Sequence, residues 1–140
     1  MKYMLDTNMC IYAMKNQYIG LREYMAEIPP LEMCISTITL SELKHGVYKS
    51  AAVEKNQEAL IRFLSIIKVV PFDDVAADEY GKIRASLEKK GMPIGTMDTL
   101  IAGHARANGL TVVTHNTKEF SRVDNLKVED WVEKLASKFQ

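Results

Sequence analysis

The sequence predicts an α/β protein: a three-layer α/β/α sandwich around a mostly parallel sheet of about five strands. Three observations carry this expectation. Short apolar runs alternate with longer amphipathic ones along the whole chain. The segments between the short runs are long enough for helical crossovers, which parallel neighbours require. The length, 140 residues, suits one domain able to bury roughly 68% of its unfolded surface, so residues 1–140 are read as a single domain.

The elements follow in order. Tyr3-Met4-Leu5 is a short apolar strand ending at Asp6. Thr7 to Lys15 reads as a short helix. Gln17 to Ile28 reads as another, because Leu21, Met25 and Ile28 are spaced four and three apart; Pro29-Pro30 stops it. Met33 to Ser36 is the second strand. Thr39 opens a helix with Leu40, Leu43 and Val47 on its apolar face, and Val53 to Ile67 repeats the pattern with Leu60, Phe63, Leu64 and Ile67. Lys68 to Phe72 is β-branched and contains Pro71, which makes a third strand. Asp73 to Lys90 is a long helix, and Gly91 to Gly95 is the clearest loop. Asp98 to Asn108 is a helix that Gly109 terminates. Thr111 to Thr114 is a buried strand, Leu126 to Val128 a fifth, and Glu129 to Phe139 a closing helix.

Composition narrows the function. Apolar residues make up 47% of the chain and charged residues 26%, an ordinary globular balance that argues against disorder and coiled coils. Eighteen basic residues balance eighteen acidic ones, so nucleic acid is not bound here through bulk positive charge. Cys10 and Cys34 sit in apolar runs and read as buried thiols, and without a Cys-x-x-Cys pair a structural zinc site is not expected. The N-terminal apolar stretch is too short for a signal peptide, and no segment approaches the ~20 apolar residues of a membrane helix. A cytoplasmic protein without membrane contact is the expectation.

In open parallel sheets the ligand site lies beyond the carboxyl ends of the strands. Asp6 ends the first strand, Glu42 lies early in the helix after the second, Asp98 opens the helix before the fourth, and Asn116 and Glu119 follow that strand. Each of the four acids has a structural explanation. Asp6 caps the Thr7 helix, Thr39 to Glu42 matches a capping box, and Asp98 and Glu119 suit the positive end of a helix dipole. Those explanations leave unexplained why all five fall at one end of the sheet. His45, His104 and His115 read as surface or hydrogen-bonded histidines, so a serine-type triad is poorly supported.

Gathered carboxylates suit a hard divalent cation. Mg²⁺ uses one or two carboxylates plus substrate phosphate, and Mn²⁺ accepts the same ligands. Such a site activates water and neutralises a phosphodiester without any histidine. Without the cation, two carboxylates about 4 Å apart repel by roughly 4 kcal/mol at an effective dielectric near 20.

Four stretches resemble the motifs of PIN-domain ribonucleases. They are Met4-Leu5-Asp6-Thr7-Asn8, then Ile35-Ser36 through Thr39-Leu40-Ser41-Glu42-Leu43 with Gly46, then Ile94-Gly95-Thr96-Met97-Asp98-Thr99-Leu100-Ile101-Ala102-Gly103-His104-Ala105, and Thr114-His115-Asn116-Thr117-Lys118-Glu119-Phe120. The third is the most specific, and the set spans Met4 to Trp131. Size and the third motif together resemble the VapC-type toxins of bacterial toxin–antitoxin systems.

The resemblance implies a metal-dependent endoribonuclease using Mg²⁺ or Mn²⁺ on a structured RNA such as tRNA. It also implies a homodimer silenced by a cognate antitoxin in a toxin–antitoxin hetero-oligomer. Asp6, Glu42 and Asp98 fall on the family's acidic positions, with Asp6 and Asp98 as metal ligands. Where many members carry a fourth acid this chain has Asn116; Glu119, three residues on, is the candidate replacement. Lys44 and Lys118 lie close in sequence to Glu42 and Glu119 and are candidates to line an RNA groove. Two other classes compete. A haloacid-dehalogenase-type phosphatase would want a second Asp where Asn8 stands, and a non-catalytic interaction domain would not need the acids.

Overall fold

The computed structural model describes residues 1–138. Five strands, β1 (Tyr3–Leu5), β2 (Met33–Ser36), β3 (Lys68–Val70), β4 (Thr111–Val113) and β5 (Val128–Glu129), form one sheet in the order β3-β2-β1-β4-β5. Every pairing is parallel. The chain steps outward from β1 to β2 and β3, then returns to the other side of β1 to lay down β4. The strand order therefore reverses between β1 and β4, and at such a reversal the carboxyl edge of an open parallel sheet is the usual ligand site.

Strand side chains alternate between two apolar layers, as the period of two requires. Leu5, Met33, Ile35 and Val113 face one layer. It is completed by α1 (Thr7–Met14), α2 (Leu21–Ala26), α3 (Thr37–Lys49), α4 (Val53–Leu64) and α8 (Trp131–Lys138), with Trp131 fully buried. Met4, Cys34 and Val112 face the other, which holds α5 (Asp74–Lys89), α6 (Thr96–Ala107) and α7 (Thr117–Phe120). The three-layer sandwich and parallel five-stranded sheet expected from sequence are both present. Cys10 and Cys34 are buried and unpaired.

Helix α6 presses closely on α5. A Cβ added at Gly103 would stand 2.8 Å from the Tyr80 backbone nitrogen and 2.9 Å from its Cα, so only glycine fits at this crossing. Gly109 takes a φ of 65° just beyond α6 and ends it as expected.

Several boundaries differ from the sequence expectation. The segment 17–28 is helical only over Leu21–Ala26, because Gly20 at φ 88° breaks the chain direction before it. Helix α3 begins at Thr37, not Thr39: Ser36 is its cap, its hydroxyl accepting from the Ile38 amide at 3.1 Å. Helix α6 begins at Thr96, two residues before Asp98. Strand β5 forms at Val128–Glu129 rather than from Leu126, which packs into the second apolar layer instead. The closing helix starts at Trp131, capped by Asp130; Phe139 lies outside the described residues. A turn of 3-10 helix at Pro30–Glu32 was not anticipated, whereas the short α7 holds Glu119 in its first turn, as the helix-dipole reading expects.

Candidate active site

Asp6 is the centre of the carboxyl edge. Its backbone amide continues the β1–β4 ladder, donating to the Val113 carbonyl at 3.0 Å. Its Oδ1 accepts from the Met9 amide at 2.9 Å, so the expected cap of α1 exists. Its Oδ2 accepts from the Thr114 hydroxyl at 2.6 Å. Only 4% of Asp6 is exposed. Burial pushes its carboxyl up to about 6, against the two hydrogen bonds, and the charges of Asp98 and Glu42 push it further the same way.

The two apolar layers each contribute to the same edge. From the first, Glu42 in the second turn of α3 accepts from the Thr7 hydroxyl at 2.5 Å. The capping-box expectation fails here: with the helix starting at Thr37, Glu42 is too far along α3 to reach back to its opening amides and faces α1 instead. From the second, Asp98 sits in the first turn of α6. Burial raises its carboxyl, with Glu119 contributing the strongest neighbouring charge and Glu42 a weaker one. Asn116 donates from Nδ2 to Asp98 Oδ2 at a long 3.4 Å. Its own backbone amide is fixed by the Thr114 hydroxyl at 2.9 Å.

All five acid and amide positions expected from sequence therefore stand at one edge and act on one another. Thr7 and Thr114, which sequence reasoning passed over, hold Glu42 and Asp6 in place; both lie inside the recognised motifs, next to the residues they orient. His104 is one of the hydrogen-bonded histidines expected from sequence. It is fully buried, its Nδ1 bonds the Ser36 hydroxyl at 2.8 Å, and its Nε2 has no partner. Burial lowers its pKa, and the nearby Asp73 charge and Pro71 carbonyl only partly oppose this. The Ser36–His104 bond ties the start of α3 to α6, the two helices that carry Glu42 and Asp98.

The donor set fits a divalent cation in its chemistry. Among the described residues, none of Asp6, Glu42, Asp98 and Glu119 is paired with a lysine or arginine. Two of the four, Asp6 and Asp98, are raised in part by the charge of their acidic neighbours. Oxygen ligands, crowded charge and no protein counter-ion are what Mg²⁺ or Mn²⁺ requires. Also among the described residues, no three His, Cys, Asp or Glu side chains close into a ready-made metal cage. The acids hold instead an open edge where water and substrate oxygens would complete a coordination shell.

An α/β/α sandwich with acids at the β1–β4 reversal is an architecture suited to a nuclease, and comparison with known proteins agrees. The PIN-domain family matches residues 3–126. The chain is 47% identical over 131 residues to the tRNA(fMet)-specific endonuclease VapC of Shigella flexneri, covering 94% of this chain and 98% of that one. Among solved structures, DNA-bound VapBC from Salmonella typhimurium superposes with a TM-score of 0.89 at 46% identity, covering 94% of this chain and 98% of that one. VapBC2 from Rickettsia felis, bound to a promoter DNA fragment, gives 0.87 at 42%, covering 94% and 99%. The chain belongs to the PIN-domain family, in its VapC branch of ribonuclease toxins. The phosphatase and interaction-domain alternatives fall with that assignment; Asn8 is exposed and takes no part in the acid contacts. No helix among the described residues is long and apolar enough to cross a membrane.

Proposed function

We propose that the chain is a Mg²⁺- or Mn²⁺-dependent endoribonuclease that hydrolyses a structured cytoplasmic RNA, with tRNA the leading candidate. It works as a homodimer and is held silent by a cognate antitoxin. The observation that carries the reading is the buried Asp6 carboxyl, crowded by Asp98 and Glu42 without a cationic partner. The tRNA substrate follows from the tRNA(fMet) specificity in the name of the Shigella flexneri relative, and the antitoxin from the VapBC complexes among the structural neighbours. Two grooves on the α1–α4 side, of about 300 and 260 Å³, suit a partner segment; the second runs between Ile11, Leu43 and Leu60 to Glu42.

Asp6 and Asp98 would hold the cation. When bound it supplies an acidified water and neutralises the phosphodiester. The chain's own groups fix the geometry. The Met9 amide and Thr114 hydroxyl occupy one lone pair on each Asp6 oxygen and fix the carboxylate in place. The Asn116 amide orients Asp98, and Glu119 brings the charge that a fourth acid would otherwise supply. Glu42, held by Thr7, stands ready to accept a proton at its carboxylate from the attacking water. Purified protein should cut RNA with Mg²⁺ or Mn²⁺ and stop in EDTA, and Asp98→Asn should abolish cutting. Expression alone should arrest growth. Cleavage that persists in Asp98→Asn would overturn the assignment of the site.

A further inference from the structure

Beside the acids lies a group of three aromatic rings to which the reaction assigns no task. Tyr12 lies on α1, six residues after Asp6. The chain turns back after α1, with the Gln17 amide donating to the Tyr12 carbonyl at 3.0 Å, and brings Tyr18 edge-on to Tyr12 with ring centres 4.9 Å apart. His115 completes the group at 6.3 Å from Tyr12 and 6.0 Å from Tyr18. It stands between Thr114, which bonds Asp6, and Asn116, which bonds Asp98. Burial raises the pKa of the Tyr12 phenol, and the Tyr18 and Asp6 charges add to the rise, so the ring lies within electrostatic reach of the acids.

Core packing accounts for Tyr12 and Tyr18, which lie against the first apolar layer. It does not account for His115, whose side chain is 45% exposed. That exposed ring is nevertheless fixed: its Nδ1 donates to Asp130 Oδ2 at 2.7 Å, and Asp130 is itself held by the Val132 and Glu133 amides at 2.9 and 3.2 Å. A solvent-facing ring anchored by a buried acid is preorganised for a ligand. The three rings meet at interplanar angles of 60–79°, so no two are stacked face to face on each other.

We infer that Tyr12, Tyr18 and His115 form a subsite that stacks an unpaired nucleobase of the RNA next to the bond the acids cut. The inference rests on the endoribonuclease reading above. Proteins that select single-stranded RNA splay bases out and stack them on Tyr and His rings, which adds affinity beyond what phosphate contacts supply. A neutral chain with eighteen basic and eighteen acidic residues would gain substrate affinity in this way. His115 adjoins Thr114 and Asn116, which bond Asp6 and Asp98, so a strand lying across the acids would carry its flanking base onto the rings.

The test is steady-state cleavage of tRNA, whose loops offer unpaired bases, by the purified protein with Mg²⁺, comparing wild type, Tyr18→Ala, Tyr18→Phe, His115→Gln and His115→Phe. Stacking predicts that Tyr18→Ala and His115→Gln raise KM by about 5- to 150-fold with kcat little changed. The two Phe variants, which keep a ring, should recover most of that loss. Unchanged KM in the ringless variants, while wild type cuts, would overturn the subsite alone. So would a loss that His115→Phe fails to restore, because the Asp130 hydrogen bond would then be the cause. A wild type that cuts no RNA would overturn the ribonuclease reading and the subsite with it.

Discussion

Replacing Asp6 by Asn should stabilise the metal-free protein at neutral pH. The carboxyl is 4% exposed and titrates near 6 in the folded chain, against an ordinary value of 3.8. A folded pKa above the unfolded one means that the native state holds its proton more tightly between those values. Asp6 therefore favours folding below about pH 4, and this contribution is lost as pH rises through about 6. The gap of roughly two pH units corresponds to about 3 kcal/mol at pH 7. Asn has the same shape and keeps an acceptor for the Met9 amide without the buried charge, although the Thr114 hydroxyl loses its acceptor, which offsets about 1 kcal/mol. The net gain of about 2 kcal/mol converts to a melting temperature higher by about 7 °C in a chain of this size. Melting curves of both proteins in EDTA, from pH 4 to pH 8, should coincide at the acid end or slightly favour wild type. They should separate as pH passes 6, with the Asp6→Asn variant melting higher. Parallel curves with wild type higher throughout would show that Asp6 is a helix cap and nothing more, and would refute the argument.

Other outcomes follow from the same geometry. Thr114→Val removes the donor to Asp6 and the acceptor for the Asn116 amide, so it should cost about 1–3 kcal/mol of stability by denaturant titration and cut cleavage sharply. Gly103→Ala places a methyl against the Tyr80 backbone; α6 must shift, with about 1–3 kcal/mol lost and Asp98 displaced, visible as lower kcat in a protein that still folds. Glu119→Gln should lose about 10- to 100-fold in rate at limiting Mg²⁺, whereas Asn116→Asp should keep its rate or need less metal; a Glu119→Gln enzyme indistinguishable from wild type would remove Glu119 from the site.

Much of this architecture is legible in the sequence because local chemistry and the fold agree. Tyr3-Met4-Leu5 and Met33 to Ser36 are β-forming runs bounded by turn or cap residues, and both form the strands expected. Asp6 reads as a helix cap and is one. The misplaced elements have physical reasons. Leu21, Met25 and Ile28 have helical spacing, but spacing does not reveal that Gly20 adopts a left-handed turn first. Thr39 to Glu42 satisfies a capping pattern, but Ser36 caps the helix three residues earlier and frees Glu42 for the active edge. What sequence could not supply are the long-range bonds. Thr114 reaches Asp6 across 108 residues and His104 reaches Ser36 across 68, and no local pattern encodes either. The aromatic group is hidden for the same reason: Tyr12, Tyr18 and His115 meet only once α1 and β4 are side by side.

The central claim is that this acid edge hydrolyses RNA with a cation-activated water rather than with the ribose 2′-hydroxyl. End-group mapping of the cleaved RNA, with Mg²⁺ and with EDTA, tests it most directly. The account predicts 5′-phosphate and 3′-hydroxyl ends that appear only with the metal. Fragments ending in 2′,3′-cyclic phosphate, or cutting that continues unchanged in EDTA, would contradict it.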